Sequence, residues 1–300
     1  MDVSHALVSI VLCTYNGERF LKQQLDSLVG QSYPNLEIII VDDNSTDGTN
    51  DMLKSYADGH PLLKLYFNET NLGYNKNFEK AISLSTGQFI SICDQDDVWF
   101  KEKIEKLIGA IGNNWAVFSN SEYIDHQNNP LNIRLIKNTI YPENYENILM
   151  ENFFTGHTSL LSRECINYIL PIPENGFYDW WIGFVCLYHN KLVYQDEILT
   201  RYRIHQNSVV QSKNKGKTKN ALRNIDIQLQ NFLAYKNLKI QDRLVITDLK
   251  DRLKNRGILN PLWFKLFTNY SRFFPKRPHV SIISRINFLR KLLNRESPDR

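Results

Sequence analysis

Val8-Ser9-Ile10-Val11-Leu12-Cys13-Thr14-Tyr15-Asn16-Gly17 is a β-branched apolar run that stops at polar residues, and the segment from Arg19 to Leu28 then repeats apolar residues at helical spacing. The change of period from about 2 to about 3.6 reads as strand, loop, helix. The same unit recurs outward. After the turn at Tyr33-Pro34-Asn35, Leu36 to Val41 is a second apolar strand, ended by Asp42-Asp43-Asn44-Ser45-Thr46-Asp47-Gly48-Thr49, and a helix runs from Thr49 to Tyr56. Leu63 to Phe67 predicts a third strand, Asn75 to Ser85 a helix, and Gln88 to Cys93 a fourth strand that runs into Asp94-Gln95-Asp96-Asp97. Alternation of this kind implies a doubly wound α/β sheet, whose ligands bind beyond the carboxyl ends of the strands. Each polar cluster falls at such an end, so the clusters converge in space.

From about Trp115 the pattern shifts to short strands and long loops, including Phe153-Phe154-Thr155-Gly156-His157-Thr158 and Phe177-Tyr178-Asp179-Trp180-Trp181. This predicts one fused domain over 1–212, in two halves at about 1–114 and about 115–212. A loop from Lys213 to Lys219 separates it from a helical tail over 213–300. There Leu222, Ile225, Leu229 and Phe232 share one face, and Ile246, Leu249 and Leu253 another before Gly257.

The chain's 300 residues, 42% of them hydrophobic, can bury a sizeable core. Charge is divided unevenly. Residues 1–212 carry 15 Lys+Arg against 26 Asp+Glu, whereas residues 213–300 carry 21 against 6, so an acidic body bears a basic tail. Cys13, Cys93, Cys165 and Cys186 are far apart and form no Cys-x-x-Cys pair, which argues against a zinc site or a disulfide framework. The start Met1-Asp2-Val3-Ser4-His5 lacks the positive region of a secretory signal, and Ala6 to Cys13 is too short to span a bilayer. The expected location is cytoplasmic.

Asp94, Asp96 and Asp97 crowd one strand end, where carboxylates about 4 to 5 Å apart repel by roughly 3 to 4 kcal/mol per pair at an effective dielectric near 20. A divalent cation bridging a diphosphate would offset this, since Mg²⁺ or Mn²⁺ takes few protein carboxylates and fills its shell with phosphate oxygens. The plain alternative is a solvated acidic turn. Tyr15 after the first strand and Asp42-Asp43 after the second add a ring for a base and acids for its N–H or the ribose. Helix capping at the strand-to-helix turn is the other use of Asp42 to Ser45, and it suits Asp47 and Thr49 better than binding does.

These stretches resemble the family 2 glycosyltransferases of GT-A fold. Val-Ser-Ile-Val-Leu-Cys-Thr-Tyr-Asn at 8–16, Val-Asp-Asp-Asn-Ser-Thr-Asp-Gly-Thr at 41–49, Asn71-Leu72-Gly73 and Asp-Gln-Asp-Asp-Val-Trp at 94–99 carry the resemblance, which covers about residues 7–210. It implies a Rossmann-like mixed sheet flanked by helices. It also implies inverting transfer of one sugar from a nucleotide-diphosphate donor, dTDP-rhamnose or a UDP-hexose, in cell-surface polysaccharide assembly. By resemblance Thr14, Tyr15, Asn16, Asp42, Asp43, Asp94, Gln95 and Asp97 form the nucleotide-sugar site, and Asp96 and His205 hold Mn²⁺ or Mg²⁺. Asp179 is the general base, and Gly156, His157, Trp180 and Trp181 face the acceptor. A helix N-cap is the plain alternative for Asp179, a hydrogen-bonded loop residue for His205, and a simple turn for Gly156-His157. The Gln-x-x-Arg-Trp signature of the processive synthases is absent. Competing functions are a nucleotidyltransferase, which would want a glycine-rich basic loop in place of Thr14 to Glu18, and a silent nucleotide-sugar or glycan-binding module.

Within the tail, Leu262, Trp263, Leu266, Phe267, Tyr270, Phe273 and Phe274 fall on one helical face beside Lys265, Arg272, Lys276 and Arg277, and Ile282, Ile286, Leu289 and Leu293 repeat this beside Arg285, Arg290, Lys291 and Arg295. This composition predicts an anionic membrane surface as partner for residues 258–295, with peripheral binding at the inner face of the cell membrane and a lipid-linked saccharide as acceptor. The alternative is a helical appendage packed on the body or on a second subunit in a homodimer. With no recognition motif and an acidic body, nucleic acid is not an expected partner.

Overall fold

The computed structural model describes residues 5–205, 221–254, 261–277 and 280–293. The Met1-to-Ser4 start, the Lys213-to-Lys219 boundary, Gly257 and Arg295 lie outside them.

The expected alternation is present. Strand β1 (Val8–Thr14), helix α1 (Glu18–Val29), β2 (Leu36–Asp42), α2 (Thr49–Gly59), β3 (Leu63–Phe67), α3 (Tyr74–Leu84) and β4 (Phe89–Cys93) follow in order. β1 lies between β2 and β4 and pairs parallel with both, and β3 pairs parallel with β2. Beyond β4 the short β5 (Val98–Trp99), α4 (Lys103–Ile111), β6 (Ala116–Ile124) and β7 (Pro130–Arg134) lead through 3₁₀ turns at Tyr145–Ile148 and Gly156–Thr158 to β8 (Ser159–Ser162). Next come α5 (Arg163–Ile169), α6 (Tyr178–Tyr188) and the long β9 (Leu192–Arg203). Among the described residues these form one nine-stranded mixed sheet, ordered β3-β2-β1-β4-β8-β6-β9-β5, with β7 hung on β6. β8 runs antiparallel to both β4 and β6.

Pleat alternation sorts the strands between two apolar layers. Val8, Ile10 and Leu12 face α1, α2 and α4 through Leu21, Leu25, Leu53, Ile104 and Leu107. Val11, Ile39, Val41, Ile90 and Ile92 face the other way, onto α3, α5 and α6. That second layer extends into α7 (Ala221–Leu233), α8 (Ile240–Lys254), α9 (Pro261–Thr268), α10 (Tyr270–Phe273) and α11 (Ile282–Leu293).

The tail is therefore packed on the body. Phe232 of α7 stacks on Phe184 of α6 with ring centroids 4.0 Å apart. Both Tyr145 and Tyr188 donate their hydroxyls to the Asp242 carboxylate of α8, at 3.0 and 2.8 Å. Leu262, Leu266, Tyr270, Phe273 and Phe274 are buried, which corrects the expectation that their shared face meets a membrane. Their large rings reach the apolar layer over the sheet, and burial there removes them from water without a bilayer. A smaller set stays outside: Phe264, Ile282, Ile283 and Ile286 are exposed, next to the exposed Arg290 and Lys291. Among the described residues no helix is long and apolar enough to cross a membrane.

Candidate active site

Four strand ends build the site. At the end of β1, Asn16 adopts φ 48°, a left-handed conformation that asparagine tolerates, and this folds the loop back across the end of β2. Its amide donates to Ser45 Oγ at 2.8 Å, and its Oδ1 accepts from the Thr46 amide at 2.8 Å. Gln95 closes the same loop from β4, accepting from the Tyr15 amide at 2.9 Å and donating to the Tyr15 carbonyl at 3.1 Å. Gly17 has no side chain because a Cβ there would stand 2.7 Å from the Gln95 carboxamide carbon. The Tyr15 ring itself is 49% exposed, available for stacking.

Thr14 and Asp42 face each other across β1 and β2. Thr14 Oγ1 donates to Asp42 at 2.7 Å, and the remaining Asp42 oxygen takes the Ser45 amide at 2.8 Å. Asp43 accepts the Leu72 and Gly73 amides at 2.8 and 2.9 Å and Asn68 Nδ2 at 2.8 Å, which fixes the Asn71-Leu72-Gly73 turn ahead of α3. Asp42 and Asp43 are both buried. They lie buried beneath the loops at these strand ends, and Tyr15 stands exposed beside them.

The acidic end of β4 is more crowded. Oxygens of Asp94 and Asp97 and a ring nitrogen of His157 lie within 4.8 Å of one another. Burial, reinforced by Asp96 and Asp179, pushes Asp94 up to about 7. Asp97 is raised well above the usual carboxylate range by burial and by Asp96 and Asp94. One Asp97 oxygen accepts the Arg203 amide at 3.1 Å, while the other is buried with no hydrogen-bond partner among the described residues. Crowded carboxylates with a buried, orphaned oxygen fit a divalent cation. Beside this cluster Asp96 accepts from His205 Nε2 at 2.7 Å, so the two residues expected at the metal do meet.

His157 does not look toward an acceptor. It is buried, stacked on Tyr202 with centroids 4.6 Å apart, with Nδ1 3.7 Å from Asp94. Burial, and then Lys103, hold its pKa down to about 3, so the ring is neutral and able to ligate. The expectation for Trp180 and Trp181 is corrected as well. Both indoles are buried, and their N–H groups donate to the Ile148 and Ile169 carbonyls at 2.6 and 2.7 Å. α6 is apolar on nearly every side and runs between layers, so its large rings pack inward.

Asp179 stands in the first turn of α6, where Phe177 occupies the cap position. Its carboxylate accepts the Trp180 amide at 2.7 Å, and the Asn152 side chain and the Gly156 backbone add polar contributions that favour its charged form. Burial still pushes it up to about 6. Gly156 is required here: a Cβ would collide with the Tyr178 phenol, 2.8 Å from its ring carbons.

Two basic residues that sequence reading passed over support the cluster from behind. Lys103 is fully buried with its ammonium 3.3 Å from the Trp99 ring centroid, donating to the His157 carbonyl and, at 3.0 Å, to Thr200 Oγ1. Arg203 is fully buried and donates to the Asp96 carbonyl at 2.7 Å and to Gln23 at 2.8 Å. The signal for Lys103 was its place in the otherwise apolar stripe Ile104-Leu107-Ile108-Ile111, where a lysine faces the core only for a partner.

Against known proteins, residues 9–169 match the model of Glycosyl transferase family 2, and the chain belongs to that family. An uncharacterized glycosyltransferase of Haemophilus influenzae is 30% identical over 213 residues, covering 70% of this chain and 84% of its own length. The Escherichia coli UDP-Glc:alpha-D-GlcNAc-diphosphoundecaprenol beta-1,3-glucosyltransferase WfgD is 27% identical over 212 residues, covering 70% of this chain and 81% of that protein. Among solved structures, S. aureus TarS 1-349 in complex with UDP-GlcNAc superposes with a TM-score of 0.62 at 18% identity, over 96% of this chain and 89% of that one. The mannosyltransferase PcManGT from Pyrobaculum calidifontis, in complex with GDP-Man and Mn²⁺, gives 0.58 at 14% identity, over 97% and 88%. The fold is thus the expected GT-A type. The protein is a glycosyltransferase, and the nucleotidyltransferase alternative falls away.

Proposed function

We propose that this glycosyltransferase moves a single sugar from a UDP-hexose to an acceptor hydroxyl with inversion at the anomeric carbon, using Asp179 as general base. The observation that carries this reading is the environment of Asp179: a desolvated carboxylate, raised to about 6 yet held by directed hydrogen bonds, that acts electrostatically on Asp94. A base in this range is ionised at neutral pH and close enough to it to accept a proton readily. Tyr15 stacks the base of the donor, and Asp94 and the Asp43 end of β2 lie on its ribose side. Asp96 and His205 would hold Mn²⁺ or Mg²⁺, next to the cluster of Asp94, Asp97 and the neutral His157. When bound, the cation stabilises charge on the leaving diphosphate by several kcal/mol.

The acceptor class we propose is a lipid-linked saccharide under assembly into a cell-surface polysaccharide, in keeping with the name of WfgD and with that of the Bacillus subtilis TuaG relative, a putative teichuronic acid biosynthesis glycosyltransferase. Exposed Ile282, Ile283 and Ile286, with Arg290 and Lys291, give α11 an outer face suited to an anionic membrane surface. A homodimer through the same face is the outcome to watch for by light scattering.

The test is release of nucleoside diphosphate from UDP-glucose, UDP-N-acetylglucosamine and dTDP-rhamnose, with Mn²⁺, Mg²⁺ or chelator, with and without a GlcNAc-diphosphate-lipid acceptor. Metal-dependent turnover of one UDP-sugar, lost in Asp96→Ala, supports the reading. Turnover of dTDP-rhamnose alone moves the donor assignment, and binding without turnover of any donor returns the chain to a silent binding module.

A further inference from the structure

The loop that grips Asp179 is itself held from the C-terminal tail. Asn152 Oδ1 accepts the Phe154 amide at 3.1 Å, which turns the carboxamide so that Nδ2 is the atom offered to the Asp179 carboxylate. Gly156, four residues on, offers its amide to the same carboxylate. At the start of this loop the Asn152 carbonyl accepts from Lys276 Nζ at 2.7 Å.

Lys276 is well placed to act as a fixed point. It follows Phe273, Phe274 and Pro275, all buried, so the backbone that carries it is set in the apolar layer. Its own carbonyl accepts Asn138 Nδ2 at 3.4 Å, and the carbonyl of Arg272 accepts Asn147 Nδ2 at 2.8 Å. Arg272 also pairs with Glu146 of the neighbouring 3₁₀ turn. Burial, and then Arg277, lowers the Lys276 pKa against favourable fields from Glu151 and Asp179, and one Glu151 oxygen is buried without a hydrogen-bond partner among the described residues.

We infer that Lys276 is a positioning residue for the reaction, holding loop 152–156 so that Asn152 and Gly156 present the Asp179 carboxylate to the acceptor. The inference rests on the reading of Asp179 as the base. It makes the tail part of the active site rather than an appendage beside it. Displacement of a reacting group by about 1 Å can cost on the order of 10²-fold in rate, so a tether two bonds removed from the base has leverage on the rate without touching substrate.

The experiment compares Lys276→Met, Lys276→Arg, Asn152→Ala and the Met/Ala double variant in the full chain. The assay is transfer from whichever of UDP-glucose, UDP-N-acetylglucosamine or dTDP-rhamnose the unmodified protein turns over, with UDP affinity and thermal unfolding measured alongside. Expected is an approximately 10-fold fall in kcat for Lys276→Met at unchanged donor KM, UDP affinity and Tm, part of it restored in Lys276→Arg. Asn152→Ala should fall as far, and the double variant no further than the larger single loss, because groups acting as one unit are not additive. Unchanged kcat in Lys276→Met, or losses that multiply in the double variant, overturns the inference. Should Lys276→Met not fold, Asn152→Ala decides: unchanged kcat there overturns it as well. Asp179→Asn run beside these keeps the two questions apart, since full activity in that variant sinks the base assignment itself.

Discussion

The two ends of the sheet are built by different rules. In the β3-β2-β1-β4 half the four strands run parallel to one another and each site residue follows its strand directly, so Tyr15, Asp43 and Asp94 come together because the strands do. Around Asp179 the site is gathered from Asn152, Gly156, α6 and the far C-terminal Lys276, held by side-chain bonds across layers. The first arrangement is robust to what surrounds it. The second depends on packing at a distance.

The largest effect that would sharpen this contrast is at the base. Asp179→Asn should lower kcat by about 10³-fold with UDP binding retained, since general-base removal costs on the order of 10² to 10⁴; equal loss of UDP affinity would mean the two halves are not separable. Next, Phe274→Ala, at a fully buried ring 5.0 Å from the Tyr270 and Phe288 centroids, should destabilise by about 3 to 5 kcal/mol in chemical unfolding. Near-wild-type stability there would show that the tail is dispensable to the body.

A smaller effect reports on pH. If Asp179 is the base, with burial pushing its carboxyl up to about 6, kcat should fall about tenfold per pH unit below that value and level off above it. The stability sign is opposite. Because the folded value lies above the ordinary 3.8, ionisation disfavours the native state, and Asp179→Asn should gain in Tm on the unmodified protein as pH rises from about 4 to 6, then hold its lead. A flat difference across that window would contradict the burial of the carboxylate. Smallest in stability, within about 0.5 kcal/mol, is Ile283→Asp with Ile286→Asp on exposed positions. Co-sedimentation with phosphatidylglycerol vesicles should nonetheless drop severalfold, and unchanged sedimentation would remove the membrane from the proposal.

The same contrast explains what the sequence made legible. Strands β1 to β4 and their helices were readable to within a few residues because period and turn chemistry are local signals. The pairing of Asp96 with His205, the two residues expected at the metal, is present. Trp180 and Trp181 were misplaced because sequence gives the character of α6 but not which layer covers it. His157 was read only as part of an acceptor-side loop, and no local pattern shows that its ring is buried against Tyr202. Lys276 was seen only as one cation among many in a basic tail. Its role rests on a contact with Asn152, 124 residues away in sequence, that no local pattern encodes.

The family match ends at residue 169, well before the lysine that steadies the base. Chimeras that join the first two thirds of one such enzyme to the tail of another would therefore exchange more than a packed appendage. They would reset the geometry of proton abstraction, and a tail grafted for its destination would arrive with a catalytic handicap unless its lysine and the recipient's loop were taken together.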